Sequence, residues 1–431
     1  MKNKVVKLTN RSFVRNVIIM ASGTAAAQVI ALLSSPIITR LYGPEAYGMM
    51  GVFQSTVQII IPVAALTYPV AIVLPKSDQD AKGLMRLSLY ISIVLSLLLF
   101  LVILFFNESI VKLLNIKAIS SYMFLLPVVI LFAGLMQINE QWLIRTRQFK
   151  ITARTEFYRS LFVNGGRISI GLFYPVASVL ITLTAIENGI RALMMKLYLR
   201  NSTYVMNDKK GNETSLKGLA KQYKDFPIYR SPQVFLEKLQ GSIPVLLLTI
   251  FFGPIATGFF TISRTVLSVP SQLIGKSIGD VFYPRISEAI NKKENTSKLI
   301  LNATLGLGAV GIIPYGIIVF FGPWIFTFIF GSDWLMAGKY AQWMAFWVFC
   351  MFLNRPSTRA LPALFAQAFQ LRYTVLTLIV RLIAFMVGYI LFSNDLVALA
   401  FLSISAGFLN LVLIFLTLRI SKKFDNENVL D

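Results

Sequence analysis

The sequence predicts an all-α polytopic membrane protein with twelve transmembrane helices in two parallel six-helix lobes. Hydrophobic residues make up 56% of the 431 residues and charged residues only 14%, whereas a soluble domain carries about 25% charged residues. Apolar runs long enough to cross a bilayer, about 18 residues or more, recur along the whole chain. The distribution of basic residues and an internal repeat then give the orientation and the two lobes.

The apolar runs and the breaks between them define the predicted helices. The first run continues past Ala25, Ala26 and Ala27 to Ile38, so we expect a retained helix rather than a cleaved signal peptide. The predicted spans are 13–39, 45–74, 84–106, 118–144, 152–174, 176–199, 227–252, 254–280, 297–321, 334–354, 364–392 and 396–419.

The net charge of +22 is distributed asymmetrically. Most of the lysines and arginines fall before the first span, after the last one and in every second break, including the long basic loop 200–226. The positive-inside rule therefore places both termini and this loop in the cytoplasm. Anionic lipid at the inner leaflet is a sufficient partner for the charge, and no nucleic-acid partner is predicted.

The composition also argues against an enzyme. Histidine is absent and Cys350 is the single cysteine, so neither a histidine-based catalytic group nor an internal disulfide is available. We predict no catalytic residue, no metal site and no cofactor. A membrane-bound polymerase or glycosyltransferase would be expected to carry acids or histidines in sizeable outer loops, and the outer loops here are short.

A turn sequence occurs twice, half the chain length apart. LYGPEAYG (41–48) and FFGPIATG (251–258) share two glycines, a proline and an alanine at matching positions. FFNESIVKLL (105–114) and FFGPWIFTFIF (320–330), in the breaks before spans 4 and 10, form a weaker second match. Six spans per copy give both copies the same orientation, which is a transporter architecture. The predicted division is residues 1–207, a cytoplasmic loop 208–225, and residues 226–431.

Several ionisable residues lie within the predicted spans. Each costs about 2.5–3.5 kcal/mol at the bilayer centre on insertion scales, and such residues usually face a cavity or a partner. The basic ones are Arg159, Arg167, Arg191, Lys238, Arg264, Lys276 and Arg381, and the acidic ones are Glu140, Glu156, Glu187, Glu237 and Asp280.

Pairing on one helix face would neutralise some of these charges. Such pairing requires a spacing that brings the two side chains to the same face. The predicted pairs are Glu187 with Arg191 and Lys276 with Asp280, while Glu156 and Arg167 are predicted only to share one face of span 5.

Arg264 is the leading candidate for binding substrate. It lies about ten residues from the outer end of span 8, or about 15 Å deep, and no acid stands three or four positions from it in the sequence. Ser268 and Ser271 are its neighbours on that face. A guanidinium group binds phosphate through two parallel hydrogen bonds. In the repeat its counterpart is Gln54, followed one turn later by Gln58, and both are further candidates.

Three more basic residues are candidates for contact with an anionic substrate, and two acids are candidates for coupling to an ion. Lys238 lies near the middle of span 7, while Arg159 and Arg381 lie on spans 5 and 11, which correspond in the two lobes. Glu237 and Glu187 are deep enough to couple transport to a proton or sodium ion.

Five segments together resemble a known family. They are SSPIITRLYGPEAYG (34–48), AIVLPKSDQDA (71–81), FPIYRSPQ (226–233), FFGPIATGFFTISRTVLSVP (251–270) and VFYPRISEA (281–289). They are similar to Wzx-type oligosaccharide-lipid flippases of the multidrug/oligosaccharidyl-lipid/polysaccharide (MOP) exporter superfamily. The resemblance extends from Phe13 to about Arg419.

The resemblance implies two lobes forming a V around a cationic cavity in the bacterial inner membrane. Such proteins move undecaprenyl-pyrophosphate-linked oligosaccharides to the outer leaflet for O-antigen, capsule or exopolysaccharide assembly, alongside polymerase machinery. Arg264 matches an arginine often found in the eighth helix of the family. A cation-coupled multidrug exporter of the same superfamily is the alternative, and a membrane-embedded polysaccharide polymerase is a more remote one.

Overall fold

The structure is a computed structural model that describes residues 2–114, 117–200, 215–273, 282 and 285–430. Long helices account for most of these residues, and the described part of the chain contains no β-strand. The all-α fold class is therefore confirmed. The helices are α1 (Lys2–Ile60), α2 (Tyr68–Ala71), α3 (Asp78–Leu114), α4 (Leu126–Arg145), α5 (Phe149–Gly171), α6 (Ala177–Arg200), α7 (Leu216–Gln222), α8 (Ser231–Leu273), α9 (285–291), α10 (Thr296–Phe330), α11 (Leu335–Leu353), α12 (Arg355–Ala363), α13 (Gln367–Phe392) and α14 (Asp395–Leu430).

The chain forms two compact units, residues 1–257 and residues 258–431. In the first unit α1 packs against α5 and α6, and α4 packs against α3 and α6. In the second unit α10 packs against α11, and α14 packs against α11 and α13. The first unit thus includes predicted span 7. The division into two six-helix lobes at 207 and 226 stays a prediction.

Both copies of the repeated turn adopt the same backbone conformation. Gly43 interrupts α1 with φ 70° and ψ 174°, and Gly253 interrupts α8 with φ 82° and ψ −174°. This combination of angles is essentially restricted to glycine. A Cβ atom at either position would meet no atom within 4 Å, so the backbone conformation rather than a lack of space requires glycine. Proline follows both glycines, where it occupies the first turn of the next helical segment.

The two segments of the second sequence match, 105–114 and 320–330, are both helical. The prediction that they are breaks between spans was wrong. Residues 105–114 continue α3 and residues 320–330 continue α10, beyond the predicted span ends at 106 and 321. Both phenylalanine pairs, Phe105–Phe106 and Phe320–Phe321, are exposed. An apolar helix that is exposed along its length can extend past the bilayer thickness by tilting.

Left-handed backbone interrupts one predicted span and lies just before the helix of another. Within the predicted span 45–74 the α-helix ends at Ile60, a 3-10 turn follows at Ile61–Val63, and Leu66 and Thr67 then have positive φ. The predicted span 364–392 agrees with α13 (Gln367–Phe392) to within three residues, and Phe365, with φ 56°, precedes this helix. Non-glycine residues seldom adopt this conformation, and hydropathy does not report it.

Eight segments combine the length and hydropathy of a membrane span, so the protein is a multi-pass membrane protein. The segments Ser22–Val63 and Phe226–Gln272 each contain one of the glycine corners. The helices α5 and α11, with 23 and 19 residues, are long but not among the eight. The total of twelve spans stays a prediction.

The end of the first unit that is predicted to be cytoplasmic is tightly built. Arg145, at the end of α4, donates to Asp78 Oδ1 (2.9 and 3.0 Å) and to three backbone carbonyls of the 72–77 loop. Leu219 of α7 is buried against this end, together with Tyr68 and Trp142. The hydroxyl of Tyr68 also donates to the Ala220 carbonyl (3.1 Å). The segment after the basic loop is therefore fixed to the first unit.

Candidate functional site

Arg264 and Gln54 occupy equivalent positions beyond the two glycine corners. Each lies the same distance past its glycine (Gly43 to Gln54, Gly253 to Arg264), and both side chains are exposed. The residue before each of them, Phe53 or Ser263, is completely buried. The repeat therefore presents one polar side chain at the same helical position in each copy, and Gln58 is half-buried one turn further on.

The surroundings of Arg264 are polar on one face of α8. Thr265 donates to the Thr261 carbonyl (2.8 Å), and Gln272 donates to Ser268 Oγ (2.8 Å). Ser271, the second predicted neighbour of Arg264 on this face, is buried. Its Oγ accepts a hydrogen bond from Arg355 Nη2 (2.8 Å).

Arg355 is a residue that the sequence analysis did not single out. It begins α12, just beyond predicted span 10, and it reaches Ser271 on α8. Burial lowers the pKa of Arg355, and the neighbouring charge of Arg359 lowers it further. Its position outside the apolar spans gave no reason to select it.

The charged residues of α4, α5 and α6 form a continuous cluster. Arg191 pairs with Glu140 (2.8 Å) and Glu156 (3.1 Å), while Arg159 pairs with Glu156 (2.6 Å) and Glu187 (3.1 Å). We call these five residues the α4–α6 charge cluster. The predicted pairing of Glu187 with Arg191 was therefore wrong: each of them is paired with a residue of another helix.

Glu156 and Arg167, which were predicted to share one face of span 5, have different partners. Arg167 Nη2 donates to Thr184 Oγ1 (2.8 Å), near the other end of α5. Lys276 and Asp280, the remaining predicted pair, lie outside the described residues.

The α4–α6 charge cluster borders a cavity of about 220 Å³ in the first unit. The five side chains of the α4–α6 charge cluster are 13–24% exposed. Three of them are carboxylates and two are guanidinium groups. Thr152, which is 3% exposed, also lines the cavity, and no hydrogen-bond partner for its hydroxyl is present in the described part of the chain. The cavity lining is Met20, Thr24, Glu140, Thr152, Ala153, Glu156 and Arg191.

Glu237 and Lys238 lie on the exposed surface of α8 before its corner. Gln233 Nε2 donates to Glu237 Oε1 (3.2 Å), and Arg230 donates to Gln233 Oε1 (3.4 Å). The carboxylate thus belongs to an exposed polar row on the first unit, distinct from the α4–α6 charge cluster that contains Glu187.

Arg381 lies against an aromatic ring in the second unit. Its guanidinium carbon stands 5.4 Å from the centre of the Trp347 ring, between α13 and α11. This geometry is a cation–π contact. Trp347 was not predicted from the sequence, because periodicity does not reveal which helices are neighbours. Among the described residues, no group of three or more histidines, cysteines or acids is arranged to hold a metal ion.

Comparisons with known proteins identify a family and a fold. The family model described as polysaccharide biosynthesis protein matches residues 37–339. No curated protein matches the chain.

Solved structures match nearly the whole chain. An inward-facing multidrug resistance MATE family transporter of the MOP superfamily has 13% identity and a TM-score of 0.72, covering 94% of this chain and 98% of its own. The lipid II flippase MurJ has 14% identity and a TM-score of 0.62, with coverage of 96% and 91%. A variant of the Vibrio cholerae MATE transporter VcmN has 14% identity and a TM-score of 0.60, with coverage of 96% of both chains. The chain therefore belongs to the polysaccharide biosynthesis protein family and has the fold of the MOP superfamily transporters.

Proposed function

We propose that this protein is a flippase that moves undecaprenyl-pyrophosphate-linked oligosaccharides from the cytoplasmic to the periplasmic leaflet. Alternating access would carry each unit across the bacterial inner membrane for O-antigen, capsule or exopolysaccharide assembly, with both termini cytoplasmic. The family description supports a role in polysaccharide biosynthesis, and MurJ, which shares the fold, is described as a lipid II flippase.

The observation that carries the proposal is the Arg264 side chain, which is exposed on the long apolar helix α8. Ionisable residues within a membrane span usually face a cavity or a partner rather than lipid, and a guanidinium group in a cavity is suited to an anionic ligand. A pyrophosphate offers several charged oxygens, and arginine binds such groups through paired, charge-assisted hydrogen bonds. The polar stripe formed by Thr265, Ser268 and Gln272 on α8 adds hydrogen-bonding groups for a sugar.

The other candidates divide into two groups. Gln54 and Gln58 are assigned to sugar contacts at the equivalent position of the first unit, and Lys238 is assigned to a further contact with the phosphate. Arg159 is different, because two carboxylates lie within 3.1 Å of it. We therefore assign Arg159 to the α4–α6 charge cluster rather than to substrate binding.

A complementation assay tests the proposal in cells that lack their own flippase. The R264A variant should lose surface polysaccharide at normal protein level, and R264E should be more severe because it repels the anion. R359A is the matched control, since Arg359 is an exposed arginine on α12 outside the predicted spans. Full complementation by R264A would contradict the assignment. Export of lipophilic cations without any polysaccharide phenotype would favour the multidrug exporter instead.

A coupling ion is a second part of the proposal. Three carboxylates and two arginines leave one excess negative charge in the α4–α6 charge cluster when all five residues are ionised, since arginine keeps its proton. Binding of one proton, or of one sodium ion, would neutralise it. We assign this role to Glu187 in preference to Glu237, which is exposed.

The rate at which the lipid-linked oligosaccharide is translocated in proteoliposomes, measured with and without an imposed pH or sodium gradient, tests which of the two acids couples transport to the ion. E187Q should abolish the dependence on the gradient, and E237Q should preserve it. Unchanged gradient dependence in both variants would rule out this coupling.

A further inference from the structure

The contact between Arg381 and Trp347 contains more hydrogen-bond donors than the protein satisfies. The Nε1 of Trp347 and the Nε of Arg381 are both buried, and neither has an acceptor in the described part of the chain. Trp347 as a whole is only 9% exposed. An indole nitrogen can donate but cannot accept, so both atoms require an acceptor from outside the described residues.

Arg381 is also not neutralised by an acid. None of the ion pairs in the described part of the chain includes it. The nearby hydroxyl of Tyr373 is committed to the Leu409 carbonyl (2.6 Å). The indole ring attracts the cation, but an aromatic face does not accept the in-plane hydrogen bonds of a guanidinium group.

We propose that Arg381 and Trp347 form a phosphoryl-binding site in the second unit. A phosphoryl group carries negative charge for Arg381 and enough oxygens to accept hydrogen bonds from both Nε and the indole Nε1. A neutral sugar hydroxyl could satisfy the indole but would leave the guanidinium charge uncompensated. Trp347 therefore has two roles, which are to hold the guanidinium against its ring and to donate one hydrogen bond to the ligand.

The inference rests on the proposed function, because the pyrophosphate of the lipid-linked substrate is the phosphoryl group expected in this membrane. Free pyrophosphate offers the same chemistry. The two sources differ in the polyprenyl chain, so a pair of probes with and without that chain separates them.

The two roles of Trp347 can be separated by substitution. W347F keeps an aromatic ring beside Arg381 and removes only the N–H donor, whereas W347L removes both. W343F is the matched control, since Trp343 lies on the same helix one turn away and is 43% exposed. R381Q removes the charge and gives an independent reading should W347F fail to fold.

Calorimetric titration of the detergent-solubilised full-length protein with farnesyl pyrophosphate tests the site. We expect W347F to weaken binding about tenfold, W347L and R381Q to weaken it more, and W343F to leave it unchanged. Inorganic pyrophosphate should compete in the wild type and compete less in W347F. Subtracting the fluorescence spectrum of W347F from that of the wild type isolates the emission of Trp347. This emission should change when the ligand is added.

The possible failures are distinguishable. Absence of binding to the wild type would contradict both the site and the proposed function. Binding that is lost in R264A but is as tight in W347F and R381Q as in the wild type would overturn this inference and leave the proposed function standing. Binding of farnesyl pyrophosphate that inorganic pyrophosphate does not compete would show that the lipid chain is recognised, and would also overturn the inference.

Discussion

Arg159 and Arg381 lie on corresponding predicted spans, yet the two units surround them differently. In the first unit Arg159 has carboxylates at 2.6 and 3.1 Å, supplied by α5 and α6. In the second unit Arg381 lies over the ring of Trp347 and none of the described ion pairs includes it. The same residue type is thus paired with carboxylates in one unit and placed against an aromatic ring in the other. The neighbours of an intramembrane arginine decide its role.

The largest expected effect comes from breaking the α4–α6 charge cluster. R159Q leaves Glu156 and Glu187 without the guanidinium that they share, and removal of one partner from a largely buried ion pair costs on the order of 3 kcal/mol. We expect a clear fall in the midpoint of thermal unfolding in detergent. R381Q should cause little change, because its charge has no protein carboxylate to leave behind.

A second variant tests the cause of that effect. R159Q combined with E187Q removes one uncompensated charge and should recover part of the lost stability. If R159Q is as stable as the wild type, or if R381Q is the more destabilised of the two, the contrast between the units is wrong.

An intermediate effect is expected at the two glycine corners. G43A and G253A force a side chain into backbone angles that only glycine adopts readily, at a cost of about 1–3 kcal/mol each. Space is available at both positions, so the two variants should lower the unfolding midpoint by similar amounts. A large loss in one and none in the other would contradict the equivalence of the two corners. G306A is a suitable control, since this helical glycine also has open space around it but has no positive φ.

The corners also show how far the sequence could predict the fold. A shared Gly-Pro pair at matching positions predicted two equivalent turns, because glycine and proline restrict the backbone locally. The predicted span ends at 106 and 321 were too early, because α3 and α10 continue to 114 and 330. The expected bilayer thickness set those ends, and it does not limit a helix that carries exposed phenylalanines past the boundary. No sequence pattern comparable to Gly-Pro predicts the left-handed backbone at Leu66 and Phe365.

The candidate site was less predictable for a physical reason. Spacing along one helix suggested that Glu187 pairs with Arg191, but each side chain has a closer partner on a neighbouring helix. The contact between Arg381 and Trp347 likewise joins two helices. Sequence periodicity reports which residues share a face and does not report which faces meet. Arg264 was predicted from its depth, from the absence of an acid three or four positions away and from the family resemblance, and none of these depends on which helices are neighbours.

The smallest expected effect concerns an exposed ion pair near α9. Lys292 Nζ donates to Glu288 Oε1 (2.5 Å), and this hydrogen bond together with the ammonium charge lowers the pKa of the Glu288 carboxyl. Its contribution to stability is therefore present at neutral pH and is lost as the pH falls through that lowered pKa. Exposed pairs contribute little, so E288Q should leave the unfolding midpoint at pH 7 nearly unchanged. A marked loss at pH 7 would show that this pair matters as much as the buried cluster.

Translocation by the purified protein is the most direct test of the central claim. Proteoliposomes carrying an undecaprenyl-pyrophosphate-linked oligosaccharide on one leaflet would report its appearance on the other through a non-permeant sugar-modifying enzyme. The wild type and R359A should move the lipid at equal rates, R264A should be slower by about tenfold or more if its paired hydrogen bonds to phosphate are lost, and R264E slower still. Equal rates in the wild type and R264A, or no translocation by the wild type, would contradict the account.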